Sequence, residues 1–242
     1  MIKIHSIETF WTHEWPGIRI VVFLQWCMMR CLYCHNPDTI DITWGKEISN
    51  DEIIQRVSQV KPYFWDKGWI TFSGWECLLQ SKELIPLCKE LKILWYHIVI
   101  DTNGYILNND VKELLIYTDL VLLDIKHLYE KDHIKLTGVS NKTILKFAHY
   151  LESIQKHFRI RQVFIPWWSD DEKHWEDVGK YFKDFQFLER IEILPYHTLW
   201  VHKWKEMWLD YKLDWVLAPT HEELLKAKNI LEKNITNVFI RK

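Results

Sequence analysis

Short apolar runs rich in β-branched residues alternate with longer amphipathic stretches along most of the chain. A short apolar run is typical of a buried strand, whereas apolar residues spaced three and four apart indicate a helix. Strands that alternate with helices form parallel sheets or barrels. The pattern predicts strands near residues 18–24, 69–72, 98–100, 120–126, 158–165, 191–194 and 238, a helix that opens at 49–52, and helices near 81–92, 109–116, 141–155, 170–182 and 221–233.

Six strand–helix units fit 242 residues better than eight do. The predicted fold class is therefore α/β, an open, partial (βα)6 barrel of the TIM type. No linker or low-complexity tract interrupts the chain, which favours a single domain over residues 1–242. The chain from about residue 198 to 219 is rich in Trp, Tyr and Lys and has no clean period, so we predict an irregular segment that covers the barrel.

Composition and charge argue against several classes of function. A net charge of -2 offers no basic field for nucleic acid. No apolar run approaches the roughly 18 residues that a membrane span needs, and the N-terminus has no apolar core of signal-peptide length. The five cysteines are an odd number, and three of them are crowded into one loop. These features predict a cytoplasmic protein in a reducing compartment, without a membrane or nucleic-acid role.

The three crowded cysteines, Cys27, Cys31 and Cys34, are separated by three and then two residues. Thiolates select iron–sulfur clusters or zinc. Three ligands leave one coordination position open, which is what a catalytic metal requires. Two alternatives remain: a structural zinc loop with a distant His as fourth ligand, and three buried free thiols that pack as small hydrophobic groups.

Polar side chains recur just after the predicted strands, and barrels build their active sites from the loops at that end. Ordinary explanations also exist. Taken without the cysteine loop, the segment 73–76 is explained as a turn and a helix cap, and Asp124 with Lys126 is explained as a plain ion pair. The residues concerned are the three thiols, Glu76, Asp101, Asp124, Lys126 and His197.

The Cys-x3-Cys-x2-Cys spacing, with Tyr33 before the last thiol, resembles the signature of the radical S-adenosylmethionine (SAM) enzymes. The longer string from Cys27 to Thr39 looks like one branch of them, the activating enzymes of pyruvate formate-lyase. Activases of other glycyl radical enzymes often carry an insert with eight further cysteines, and only Cys77 and Cys88 remain here. Further parallels to the branch occur in order at residues 16–19, 138–141, 166–171, 194–197, 202–204 and 211–214.

The resemblance implies a [4Fe–4S] cluster held by Cys27, Cys31 and Cys34, with SAM at the open iron. It makes Asp101, Thr102 and Asp124 candidates for holding a monovalent cation. Trp75 departs from the pattern, because it stands at the second glycine of the family's Gly-Gly-Glu segment. The residues that the resemblance implies for SAM binding are Tyr33, Asn36, Ser73, Gly74, Glu76, Asp101, Asp124, Lys126, Arg161 and His197.

The activity implied by the resemblance needs no catalytic side chain beyond the cluster and SAM. Flavodoxin or ferredoxin would supply one electron, SAM would be cleaved to methionine and a 5′-deoxyadenosyl radical, and the radical would abstract a glycine Cα hydrogen of pyruvate formate-lyase. We expect a monomer. Two alternatives stay open: activation of another glycyl radical enzyme, such as an anaerobic ribonucleotide reductase or a glycerol dehydratase, and a non-catalytic iron–sulfur or zinc protein.

Tryptophan is abnormally frequent, with 15 Trp against 7 Gly, although glycine averages about 7% of residues. Trp168 and Trp204 match tryptophans of the family pattern. The codon UGA is read as Trp in some bacterial codes and as Gly in others, so we predict a recoded glycine at many of these sites; a genuine Trp-rich surface over the barrel mouth is the alternative. The family pattern leads us to expect glycine at Trp11, Trp15, Trp26, Trp44, Trp69, Trp75, Trp95, Trp167, Trp200, Trp208 and Trp215.

Overall fold

The structure is a computed structural model, and it describes residues 1–11, 19–64, 69–74 and 76–241. Predictions that concern Trp15, residues 16–18 and Trp75 lie outside the described residues. The contacts of the chain group into two compact units, Met1–Met28 with Asp38–Leu122, and Met29–Pro37 with the chain from Leu123 onward. The single domain and its covering segment remain predictions.

The first unit contains antiparallel and parallel strand pairs. Its strands follow the order β3-β1-β2-β4-β5-β6, with β1 antiparallel to β2 and β3, and with β2, β4 and β5 parallel. Its elements are β1 (Ile2–Trp11), β2 (Arg19–Leu24), β3 (Lys46–Ile48), α1 (Asn50–Val60), β4 (Trp69–Ser73), α2 (Ser81–Ile93), β5 (His97–Thr102) and α3 (Asn109–Leu114).

Strand β6 (Leu120–Asp124) has residues in both units, and the second unit continues the order as β6-β7-β8-β9. Strands β7, β8 and β9 are parallel to one another. The elements that follow β6 are α4 (Glu130–Thr137), α5 (Lys142–Ser153), β7 (Phe158–Phe164), α6 (Glu172–Phe182), β8 (Leu188–Pro195), α7 (Val201–Glu206), α8 (His221–Leu231) and β9 (Val238–Ile240).

The parallel strands are buried because helices cover them. Ile98, Val99 and Ile100 of β5 are buried in succession, and so are the first four residues of β6. Strands covered on both faces need continuous apolar runs. Such runs are easy to recognise in a sequence, so these strands were predicted correctly. The predicted α/β class with six strand–helix units is confirmed. Strands β4, β5, β6, β7 and β8 are each followed by an α-helix, and the short strand β3 lies between β2 and its helix α1.

The sequence reading was wrong about where the sheet begins. Residues 18–24 were predicted as the first strand, but β1 precedes it and pairs antiparallel with it. Strand β1 alternates polar and apolar residues and is irregular, with register shifts between Ile4 and Ser6 and between Glu8 and Trp11, so its apolar signal is weak. Helices α4 and α7 were also not predicted. None of the described helices is long and apolar enough to cross a membrane.

Candidate active site

Cys27 lies in the first unit, just after β2, with its thiol buried. The side-chain amide of Asn103 donates to its sulfur at 3.9 Å. Gln25 holds this end of the loop, because its side-chain nitrogen donates to the carbonyl oxygens of Asp38 and Asp41 at 2.8 and 2.7 Å. The Cys27 sulfur is therefore buried and accepts a hydrogen bond from an amide N–H, which suits a thiolate that binds a metal centre.

Cys31 and Cys34 lie in the second unit, on the loop Met29–Pro37. The Cys34 amide donates to the Cys31 carbonyl at 3.1 Å, which closes a tight turn, and both thiols are buried. The amides of Arg30 and Leu32 donate to the last two carbonyls of α4 at 2.8 and 2.9 Å. Carbonyls at a helix end have no partner within the helix, so α4 serves as an anchor for the cysteine loop.

None of the five cysteines forms a disulfide bond, and all five are buried. Burial raises the pKa of Cys31, although the Lys126 ammonium opposes this effect. A thiolate there needs a compensating cation, and a bound metal centre supplies one. The Cys77 thiol instead donates to the Asp101 carbonyl at 3.3 Å, and Cys88 belongs to the buried face of α2.

In the described ranges, no three His, Cys, Asp or Glu side chains converge as ligands of one metal ion. A cubane iron–sulfur cluster makes a different demand, because each cysteine thiolate binds its own iron. The cluster assignment of the three thiols therefore remains a prediction, as does the monovalent cation at Asp101, Thr102 and Asp124.

Glu76 is a buried carboxyl group with one unsatisfied oxygen. Its Oε1 accepts from Thr102 Oγ1 at 2.6 Å and from the Leu78 amide at 3.0 Å, while Oε2 is buried without a hydrogen-bond partner. Burial raises the pKa of Glu76 to about 7, against the lowering effect of these hydrogen bonds. An acceptor in this state suits a cationic donor such as an ammonium group.

Ser73 and Gly74 form the turn that leads to Glu76. Ser73 Oγ donates to Asp101 Oδ2 at 2.7 Å. Gly74 has a φ of +92°, and a Cβ atom there would lie 2.3 Å from the backbone N and O of Leu24. Only glycine allows this approach of two backbone segments, so the first glycine of the segment is needed by the fold itself.

Asp124, Lys126 and Arg161 form a buried charge cluster in the second unit. Lys126 Nζ lies 2.7 Å from Asp124 Oδ2, and Arg161 Nε lies 3.2 Å from Asp124 Oδ1. Burial would raise the pKa of Asp124, but the two cations hold it below its ordinary value. The Lys126 ammonium also lies 5.8 Å from the centre of the Tyr33 ring. The ion pair that the sequence left open as an alternative thus exists, and SAM binding by these residues remains a prediction.

In the second unit, His35 of the cysteine loop stacks on His197. The rings of His35 and His197 lie 4.3 Å apart, and His35 Nε2 and His197 Nδ1 are buried without a hydrogen-bond partner. Burial, together with His197 and nearby lysines, lowers the pKa of His35 to about 3. Neutral imidazoles with unsatisfied nitrogen atoms can accept or donate to a polar ligand. His35 was not predicted, although it directly follows Cys34.

Helix α7 contacts the same loop. Trp204 Nε1 donates to the Cys34 carbonyl at 2.8 Å, and Lys203 Nζ lies 2.6 Å from Asn36 Oδ1. Sequence reasoning noticed residues 202–204 as a family parallel but assigned them no role.

Each unit thus assembles part of the predicted site, and the assignments to cluster and SAM stay predictions. The first unit holds Cys27, Ser73, Gly74, Glu76, Asp101 and Thr102, and the second holds Cys31, Tyr33, Cys34, Asn36, Asp124, Lys126, Arg161 and His197.

The family described as the Radical SAM superfamily matches residues 21–175, which include the cysteine loop and the charge cluster. The chain belongs to the radical SAM superfamily. Its members use a [4Fe–4S] cluster and SAM, and the residues described above fit these groups. Buried thiols, an unsatisfied buried carboxylate oxygen and unsatisfied imidazole nitrogens are the donors and acceptors that such groups need.

Within the radical SAM superfamily, the chain is similar to named relatives over nearly its full length. It is 41% identical over 234 residues to the pyruvate formate-lyase 1-activating enzyme of Escherichia coli K12, covering 96% of this chain and 95% of that one. It is also 41% identical, with the same coverage, to the pyruvate formate-lyase-activating enzyme of Staphylococcus epidermidis. A crystal structure of a domain of the Bacteroides vulgatus enzyme matches with a TM-score of 0.59 at 24% identity, over 70% of this chain and 96% of that one, which supports the fold.

Proposed function

We propose that this chain is an activating enzyme of pyruvate formate-lyase. The observation that carries the proposal is the 41% identity that extends over 96% of this chain and 95% of the E. coli enzyme. Similarity confined to the cluster loop would indicate only the superfamily. Similarity across the whole length includes the surfaces that recognise a protein substrate, which no short motif encodes.

Cys27, Cys31 and Cys34 would hold the [4Fe–4S] cluster. The chemistry supplied by a bound cluster and SAM would be a 5′-deoxyadenosyl radical able to take a glycine Cα hydrogen from the substrate protein. Glu76 Oε2 would receive the SAM ammonium group, because it is buried and lacks a hydrogen-bond partner. Asp124, held ionised by Lys126 and Arg161, would bind ribose hydroxyls. The protein contributes binding, orientation and exclusion of water, since the cofactor carries the hard chemistry.

We further propose that flavodoxin or ferredoxin provides the electron, that the protein works as a monomer in the cytoplasm, and that Asp101, Thr102 and Asp124 hold a monovalent cation. Asn36, Ser73, Gly74, Tyr33, Arg161 and His197 complete the proposed SAM pocket.

The test is anaerobic cluster reconstitution, followed by a SAM cleavage assay and by spin-resonance detection of a glycyl radical. We expect 5′-deoxyadenosine from the wild-type protein and none from Cys31→Ala, and a radical on pyruvate formate-lyase. No 5′-deoxyadenosine from a fully loaded wild-type protein would indicate a non-catalytic metal protein. Cleavage with a radical only on an anaerobic ribonucleotide reductase or a glycerol dehydratase would assign a different partner.

A further inference from the structure

The backbone of this chain places tryptophan where glycine is required. Among the described residues, six non-glycine residues have positive φ, and four of them are tryptophans: Trp26 at +103°, Trp95 at +64°, Trp167 at +71° and Trp208 at +58°. For a bulky residue a positive φ is a real outlier, because Cβ collides with the backbone. The clustering in one residue type calls for an explanation.

Trp95 and Trp208 occupy the same position at two helix ends. After α2, the Trp95 amide donates to Lys92 O at 3.1 Å and the Tyr96 amide to Leu91 O at 3.0 Å. After α7, the Trp208 amide donates to the Lys205 carbonyl and the Leu209 amide to the Trp204 carbonyl, at 3.0 and 2.8 Å. Both patterns are Schellman motifs, whose left-handed residue is usually glycine.

A third tryptophan occupies a tight turn. The Trp168 amide donates to the Ile165 carbonyl at 3.0 Å across Pro166 and Trp167. Proline followed by a residue of positive φ is the sequence of a type II turn, and its third position favours glycine.

The fourth, Trp26, immediately precedes the first cluster cysteine. Its φ of +103° lies well beyond the left-handed helical value near +57°, and its amide donates to Thr39 O at 2.7 Å. Glycine adopts such a conformation readily.

Side-chain environment separates two groups of tryptophans. Trp95, Trp167 and Trp208 are 91%, 75% and 95% exposed, whereas Trp175 is 1% exposed. Trp175 Nε1 donates to the Ser169 carbonyl and Trp204 Nε1 to the Cys34 carbonyl. Trp95, Trp167 and Trp208 lack the burial that tryptophan normally gains in a folded protein. Trp175 and Trp204 each donate a side-chain hydrogen bond to a backbone carbonyl, and Trp175 is also buried.

We propose that the polypeptide made in the native source carries glycine at positions 26, 95, 167 and 208, because UGA codons are decoded as glycine there. The same exchange at the other seven positions named from the family pattern would bring glycine close to its average usage of about 7%. Gln155 has a φ of +57° at the end of α5, so a non-glycine residue is tolerated at such an end, but chance would not favour tryptophan four times.

Peptide mass spectrometry of the protein from its native source decides the question without any need for refolding. We expect glycine at positions 95 and 208 and tryptophan at 175 and 204. Tryptophan at 95 or 208 in that material would overturn the proposal.

A second measurement tests the physical premise on the chain as written. Trp208→Gly should raise the denaturation midpoint, because it relieves the positive φ and loses little burial. Trp204→Gly, inside the helix α7 that Trp208 follows, should lower it. A lower midpoint for both Trp95→Gly and Trp208→Gly would contradict the requirement for glycine.

A separate observation concerns the hydrogen bonds that join α7 to the cysteine loop. We infer that Trp204 and Lys203 are positioning residues for the third cluster thiolate, an inference that rests on the proposed cluster at Cys27, Cys31 and Cys34. Trp204 holds the backbone carbonyl of Cys34, and Lys203 holds the side chain of Asn36 two residues later. These contacts link residues 170 and 167 positions apart, so they fix the loop from outside it.

The Trp204 ring is itself fixed by packing. It meets the Tyr211 ring edge-on at 5.4 Å between centres. The Tyr211 hydroxyl lies 2.8 Å from that of Tyr196, which donates to the Leu213 carbonyl at 3.0 Å. Because its ring is packed in this way, Trp204 holds the Cys34 carbonyl more rigidly than an unsupported side chain would. Residues that orient the ligands of a metal centre change its affinity for the metal and its reduction potential.

The experiment compares Trp204→Phe and Lys203→Met with Lys205→Met, whose side chain is exposed on the same helix. Reconstituted proteins are tested for the reduction potential of the cluster and the rate of iron loss to a chelator. We expect several-fold faster iron loss and a shifted potential for the first two variants, and wild-type values for the third. Wild-type values in all three would overturn this inference alone, whereas a wild-type protein that takes up no cluster would overturn the proposed function as well.

Discussion

At the scale of single residues, the thiols of the cysteine loop differ from those of Cys77 and Cys88 in the backbone that carries them. Cys77 lies in a short 3-10 turn and Cys88 lies in α2. Cys31 and Cys34 lie on a loop whose amides are tied to α4, while Cys88 packs inside α2. The backbone of Cys31 and Cys34 thus lies outside any helix, whereas Cys88 is held inside the packed α2.

Cys31→Ala is therefore expected to abolish the iron–sulfur cluster, and Cys88→Ala is expected to retain it. Iron content and visible absorbance after anaerobic reconstitution measure this. A Cys31→Ala protein with full iron content and unchanged absorbance would refute the cluster assignment.

The charge cluster leads to a second prediction at this scale. Asp124→Ala and Lys126→Ala should each weaken SAM binding at least about 10-fold, because hydrogen bonds to charged groups contribute about 1.5–3 kcal/mol. The iron–sulfur cluster should stay intact, since neither residue is one of its proposed ligands. Titration of the reconstituted protein with SAM measures the affinity.

Lys92→Ala is the control, because it removes a different ion pair, to Asp119. Its SAM affinity should equal that of the wild type. Unchanged affinity in both Asp124→Ala and Lys126→Ala would show that their ion pair is purely structural.

At the scale of elements, four of the eight α-helices in the described residues begin with a side-chain cap. Ser49, Asn108 and Asp171 each accept an amide hydrogen bond at the start of α1, α3 and α6. Thr220 and Glu223 form a reciprocal capping box at the start of α8. These four helices are among those whose starts were predicted to within two residues, and the capping signals are local in the sequence.

Thr220→Ala should lower the free energy of unfolding by about 1 kcal/mol, because an amide of the first turn of α8 loses its acceptor. Asn229→Ala, at an exposed position inside the same helix, should not lower it. Chemical denaturation followed by circular dichroism gives both values. Equal stability of Thr220→Ala and the wild type would show that the capping box contributes nothing.

At the scale of the whole molecule, one buried carboxyl group couples stability to pH. The pKa of Glu76 rises from 4.5 to about 7 on burial. Between these values the folded protein keeps a proton that the unfolded chain has lost. Stability without ligand therefore falls as pH rises through this window, by on the order of 3 kcal/mol in total.

Glu76→Gln should remove this decrease, because glutamine does not ionise. Denaturation midpoints measured from pH 4.5 to 8 test the prediction. If the denaturation midpoints of the wild type and of Glu76→Gln change with pH in the same way, burial does not raise the pKa of Glu76.

What the sequence determined by itself is local in character. The spacing of Cys27, Cys31 and Cys34, the alternation of buried strands with helices, and the caps all depend on residues close together in the chain. Continuous apolar runs identified β5 and β6 because both faces of those strands are covered.

The tertiary structure decided the features that depend on partners far apart in the chain. The antiparallel start of the sheet, the hydrogen bond from Thr102 to Glu76, the stacking of His35 on His197 and the bond from Trp204 to Cys34 join residues that no periodicity relates. A hydrophobic pattern states which faces are buried but not against which partner. Burial and nearby charge set a pKa, so the raised pKa of Glu76 follows from the fold and not from the residue type.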